Sequence, residues 1–137
     1  MGILKTEEIH KEIDLVQGCI TRMNSCSFYV KGWFISLTTV IIALEHLQLD
    51  RPFVLLLLSL TLVFWFFDAF YIAYERSFRE LYSWNLTERS RNSRIKLYDL
   101  DIKQRFKPNI LKACFSSQLI LLYGTAIVIC IALFLNL

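Results

Sequence analysis

The chain holds 137 residues, 55% of them hydrophobic and 20% charged, with a formal net charge of +3. That length suits one domain, and the apolar fraction exceeds the roughly 45–50% of soluble domains. Charge is segregated into residues 1–31 and 75–112, with long tracts almost free of it; this argues against an ordinary water-soluble domain and for a small membrane protein.

Residues 1–27 predict an amphipathic cytoplasmic helix. Ile9, Ile13, Val16, Ile20 and Met23 step by 4, 3, 4 and 3, the spacing of a coiled-coil seam. Glu7, Glu8, Lys11, Glu12 and Asp14 lie off that seam, where they can stay solvated. Two heptads are marginal alone, so the seam needs a cover. Two covers are open: the helices of the chain's own second loop, or copies of itself or a partner. An acidic polar face disfavours lying on anionic lipid.

Three tracts are long enough to span about 30 Å of hydrocarbon, which takes roughly 20 apolar residues. The first is 28–47 (FYVKGWFISLTTVIIALEHL), with Lys31 near one end and Glu45 and His46 at the other. The second is 52–74, in which Asp68 is the one formal charge. The third is 113–137 (ACFSSQLILLYGTAIVICIALFLNL), which has none. Backbone groups in lipid must be satisfied internally, so all three are predicted helices. VLLLLSLTLVFWFF has no polar face to turn to water.

Lys and Arg number four up to Lys31, one in the short first loop, ten from Arg76 to Lys112 and none beyond. The positive-inside rule therefore puts the N-terminus and the long loop in the cytoplasm and the C-terminus outside. In that loop, Phe78, Leu81, Tyr82 and Leu86 predict that the second helix continues past the membrane to about Glu88. SRNSR (90–94) breaks the pattern, a short amphipathic piece around 95–106 follows, and Pro108 with Asn109 starts the third helix. The basic run RSRNSRIK (89–96) reads as a positive-inside determinant, and the lack of interleaved aromatics disfavours nucleic acid.

Asp68, Tyr71, Glu75, Arg79 and Tyr82 step by 3, 4, 4 and 3 and share one helical face. Asp68 lies about 10 Å inside a boundary at Tyr74 or Glu75, at 1.5 Å per residue. An ionised carboxylate at that depth costs a few kcal/mol unless paired or wetted, so it should face the protein interior. Lys31 lies at the same side of the membrane with a stem able to snorkel. The pattern predicts Lys31 paired with Asp68 or Glu75, and Arg79 bonded to Glu75 four residues before it. A charge lining a conduction path is the other reading. In the third span Ser117, Leu121, Gly124 and Val128 lie on one face, with Gln118 and Thr125 beside it. Ala126 and Cys130 form a small-xxx-small pair. Such a face packs helices closely or lines a pore.

No set of residues carries catalysis. Cys19, Cys26, Cys114 and Cys130 show no CxxC, and His10 and His46 fall on opposite sides of the membrane, so a zinc site is disfavoured. No Ser or Cys has a nearby His to activate it, and the four glycines are scattered singly with no phosphate loop. No enzyme activity, metal or cofactor is expected.

KGWFISLTT (31–39), FWFFDAFYIAYERSFRELY (64–82) and FSSQLILLYG (115–124) resemble motifs of a group of uncharacterised small bacterial three-span membrane proteins. Phe70 stands where that group typically has a further tyrosine. The group is similar in organisation to the SLATT-type membrane effectors of bacterial anti-phage defence systems, which oligomerise and breach the membrane. The resemblance implies a bacterial inner-membrane protein. Its expected function is a homo-oligomeric, channel-like effector that perturbs permeability, with a soluble cytoplasmic sensor or effector as a possible partner. The rival is a non-conducting anchor or adaptor that recruits a soluble partner through its cytoplasmic helices.

Overall fold

The computed structural model describes residues 6–44, 50–87, 100, 102 and 106–137. Those residues are helical with no strand among them. Helix α1 runs Thr6–Leu44 without a break, and α2 runs Arg51–Thr87. A short α3 spans Ile110–Cys114, and α4 spans Ser117–Asn136. Three helices, within α1, α2 and α4, are long and apolar enough to cross a membrane. Glu45 and His46, the basic run 89–96 and most of the piece expected around 95–106 lie outside the described residues.

At 1.5 Å per residue the 39-residue α1 is about 58 Å long, nearly twice a hydrocarbon core. The expected division at residue 27 is thus not a break in the helix: one rod runs through it. The same holds for α2, whose apolar stretch carries on through Glu75 and Arg79 to Thr87.

The third tract departs from expectation. Asn109 caps α3, its side-chain oxygen accepting the Lys112 amide at 3.0 Å, but this helix ends at Cys114. Ser116 is extended, and the long helix starts anew at Ser117, four residues later than the expected 113. Two contacts from α2 hold the break. The Trp65 indole donates to the Cys114 carbonyl at 3.2 Å, and Arg76 Nη2 donates to Ser116 Oγ at 2.9 Å. Within α4, residues Ile120–Gly124 form a π turn. The Thr125 hydroxyl donates to the carbonyls of Leu121 and Leu122, at 2.7 and 2.9 Å, satisfying groups that a widened turn exposes.

Packing falls into three clusters along the rod. At the short-loop end Phe53, Val54 and Leu57 of α2 meet Cys130 of α4. The middle cluster joins all three long helices: Phe34, Ala69, Ile72, Ala73, Leu119 and Tyr123, with Ala113 of α3. At the charged end Val16 and Ile20 of α1 pack on Phe78 and Leu81 of α2, with Ile102 over them. The seam of α1 is therefore covered at its centre by the chain itself, and Met23 packs at its edge. Ile9 and Ile13 remain half-buried. Glu12, expected to be solvated, is buried.

Candidate functional site

The middle of the bundle holds a polar cluster contributed by all three long helices. Asp68 of α2 is fully buried among small neighbours: Ala69 follows it and Ala73 stands five residues on, which lets α1 and α4 approach. One turn of α1 supplies Ser27 and Lys31, and α4 supplies Tyr123. Lys31 Nζ lies 2.9 Å from Asp68 Oδ1, 2.7 Å from Oδ2 and 2.7 Å from Ser27 Oγ. Ser27 donates its hydroxyl to Asp68 Oδ1, and the Tyr123 hydroxyl donates to Oδ2 at 3.2 Å.

These contacts close the polar accounting. An ammonium has three donors and a carboxylate about four acceptor positions. Here Lys31 meets three oxygens, and Asp68 receives Ser27, Tyr123 and two approaches from Lys31. A buried polar network in which every member is satisfied is rigid and specific; a half-satisfied one is costly. Lys31 is 24% exposed along its side chain while Asp68 is 0% exposed, so the ammonium reaches the buried acid from the rim. Rings close the far side: Phe34 lies 5.0 Å from Tyr123 and 5.8 Å from Phe64, centroid to centroid.

The stripe expected on α2 does not act as one unit. Asp68 alone joins the inner cluster. Tyr71 is half-buried and sets its ring edge-on to Phe70 at 5.7 Å. Glu75 pairs with Arg79 at 2.6 Å, where the Arg79 side chain is 64% exposed. Tyr82 packs into the cluster at the charged end. Lys31 is thus bonded to Asp68, and Glu75 is taken by Arg79.

Past Ser117 and Gln118, which border a polar cavity against α2, the face of α4 carrying Leu121, Gly124 and Val128 is turned away from the packed core. Ser117, Gln118 and Thr125 are exposed, as are Leu121 and Val128, and Gly124 is half-buried. The packed face is the opposite one, Leu119, Tyr123, Ala126 and Cys130, whose 4, 3, 4 spacing includes the Ala126–Cys130 small pair. A Cβ at Gly124 would sit at an ordinary 3.6 Å from Ile120, so internal packing does not demand glycine there. The reason for the reversal is Asp68: a phenol that can bond a buried carboxylate outranks hydroxyls that can bond their own helix.

The sequence offers no role for Ser27, and Tyr123 enters only as the tyrosine of the FSSQLILLYG motif. Ser27 had one signal, its position one turn before Lys31. Tyr123 had another, as the one side chain of the third span that couples a large ring to a hydroxyl donor. Among the described residues no group of His, Cys, Asp and Glu could hold a metal ion. No family model matches the chain, and neither a curated protein nor a solved structure matches it.

Proposed function

We propose that the chain is a multi-pass bacterial inner-membrane protein that assembles with copies of itself and, once triggered, perturbs membrane permeability. The N-terminus and the segment between α2 and α4 face the cytoplasm. The observation that carries this reading is the outward polar face of α4. Among the described residues the space between the three helices is filled by side chains and by a closed ion-pair cluster. Thr125, and Ser117 and Gln118 at the rim of a polar cavity against α2, are instead exposed, where polar residues on a spanning helix serve helix–helix contact or a water-filled path. In an oligomer these faces meet. The Ser27–Lys31–Asp68–Tyr123 cluster then holds each protomer's three helices as one body. Continuous α1 and α2 carry a movement of the charged end to that body. The defence setting is supported by the resemblance of the three motifs.

Induced expression in bacteria with dye uptake and membrane potential as readouts tests this. Leakage that Gln118→Leu abolishes is the expected result, and a strictly monomeric size in mild detergent overturns the pore. One observation favours the adaptor reading: Leu15 and Leu86 are about half exposed on the charged-end layer, apolar surface that a soluble partner could cover. Absence of leakage under every trigger supports that reading.

A further inference from the structure

Beside the break that precedes α4 lies a polar cavity of about 340 Å³. Glu75, Arg76 and Arg79 of α2 form one wall; Ser116, Ser117 and Gln118 form the other, with Ile72 at the back. We propose that this cavity binds the headgroup of an anionic phospholipid, one phosphodiester with hydroxyl-bearing glycerol. The inference rests on the membrane reading above but not on assembly or conduction.

Charge and donor chemistry select that ligand. Two guanidiniums and one carboxylate leave a net charge of +1 on the walls, which matches the single negative charge of a phosphodiester. Arg79 is partly neutralised by Glu75 at 2.6 Å. Among the described residues the partner of Arg76 is a hydroxyl, Ser116 Oγ at 2.9 Å. A guanidinium carries five N–H donors in a planar fork, so Arg76 can hold Ser116 and still present a pair of donors to phosphate oxygens. The hydroxyls of Ser116 and Ser117 and the amide of Gln118 suit the glycerol hydroxyls. The volume is at the small end of ligand sites, roughly 300–1,000 Å³, enough for a headgroup but not for acyl chains.

Location selects a lipid over a soluble anion. Arg76 lies two residues beyond Tyr74, whose ring packs tilted against Phe70 at 4.5 Å, an aromatic pair of the kind found at the membrane boundary. On the other wall, Phe115 adjoins Ser116 and is 74% exposed, and Leu111 on α3 is 77% exposed. Large apolar side chains left bare next to a cationic cavity are suited to acyl chains continuing from a bound headgroup. Water around a soluble phosphate would find them unfavourable.

The test uses the purified full chain in neutral detergent at 150 mM salt, with melting temperature read as phosphatidylglycerol or phosphatidylcholine is titrated in. Phosphatidylglycerol should raise the melting temperature well above any effect of phosphatidylcholine. Arg76→Gln should raise the half-maximal phosphatidylglycerol concentration about tenfold, the loss of about 1.4 kcal/mol of binding. Arg79→Gln should raise it less and serves if Arg76→Gln does not fold. Lys107→Gln removes the same charge from an exposed side chain outside the cavity and should change nothing. Equal stabilisation by phosphatidylcholine, an equal loss in Lys107→Gln, or full stabilisation by inorganic phosphate without lipid each overturns the proposal. Extraction of the chain from membranes by carbonate overturns the membrane reading as well; resistance to extraction without lipid preference overturns the headgroup site alone.

Discussion

Two acid–base pairs have their acids on α2, two turns apart, and they are not equivalent. Lys31–Asp68 and Glu75–Arg79 have nearly the same closest separation, 2.7 and 2.6 Å. The first joins two helices around a carboxylate with no exposure; the second links neighbours on one helix, with Glu75 mostly covered but Arg79 mostly in the open. Geometry alone does not decide what a pair is worth. The surroundings do: an exposed pair trades water for a partner almost evenly, whereas a buried one cannot lose a member without leaving a bare charge.

The comparison breaks first at Asp68. Asp68→Asn removes the counter-charge and one of the three acceptors from a partly buried Lys31. The expected loss is about 3–5 kcal/mol, read as unfolding by denaturant in detergent. The double variant Lys31→Met with Asp68→Leu should recover most of it, because the cost lies in the orphaned ammonium and not in forfeited attraction. A loss under 1 kcal/mol in the single variant would put the two pairs on the same footing.

The hydroxyls that complete the inner cluster come next. Ser27 both donates to Asp68 and accepts from Lys31, so Ser27→Ala should cost about 2 kcal/mol. Tyr123→Phe keeps the ring against Phe34 and removes one hydrogen bond to a charged group, longer than its neighbours at 3.2 Å; about 1.5 kcal/mol is expected. If Tyr123→Phe is silent while Ser27→Ala is not, α4 is held by packing alone and the cluster joins only two helices.

How much of this was legible follows the same contrast. Lys31 and Asp68 stood out because charge within an apolar tract is costly and must find a partner; that argument needs no fold. The Glu75–Arg79 pair follows from helical spacing. Tyr123 required knowing which face of the third span turns inward. Amphipathic logic points to the small and hydroxyl residues, yet Thr125 satisfies its hydroxyl on its own helix, and the inward face goes to the residue that can reach Asp68. The start of α4 was equally hidden. Nothing in ACFSSQL announces a stop at Cys114; the break is fixed by Trp65 and Arg76, side chains distant in sequence. The seam of α1 was visible in its spacing, but its cover, Phe78 and Leu81 of the same chain, was one of two that spacing allows.

The smallest effect sharpens the contrast most. In a double-mutant cycle, Glu75→Gln and Arg79→Gln should show a coupling of only about 0.3–0.5 kcal/mol, the value of a pair four residues apart on a helix, because Arg79 is 64% exposed even though Glu75 is 12% exposed. At 1 M salt the screening length falls to about 3 Å, so that coupling should vanish. The Lys31–Asp68 coupling should persist at the same salt, because ions cannot enter around a carboxylate that has no exposed surface. Thermal unfolding of the wild type and of the two single variants and the double variant of each pair, at low and high salt, measures both. If the Glu75–Arg79 coupling instead survives high salt, the cavity beside it is shielded from solvent. Arg79 would then be held by its surroundings as firmly as Lys31, and the difference between the two pairs would be one of location along the helix, not of burial.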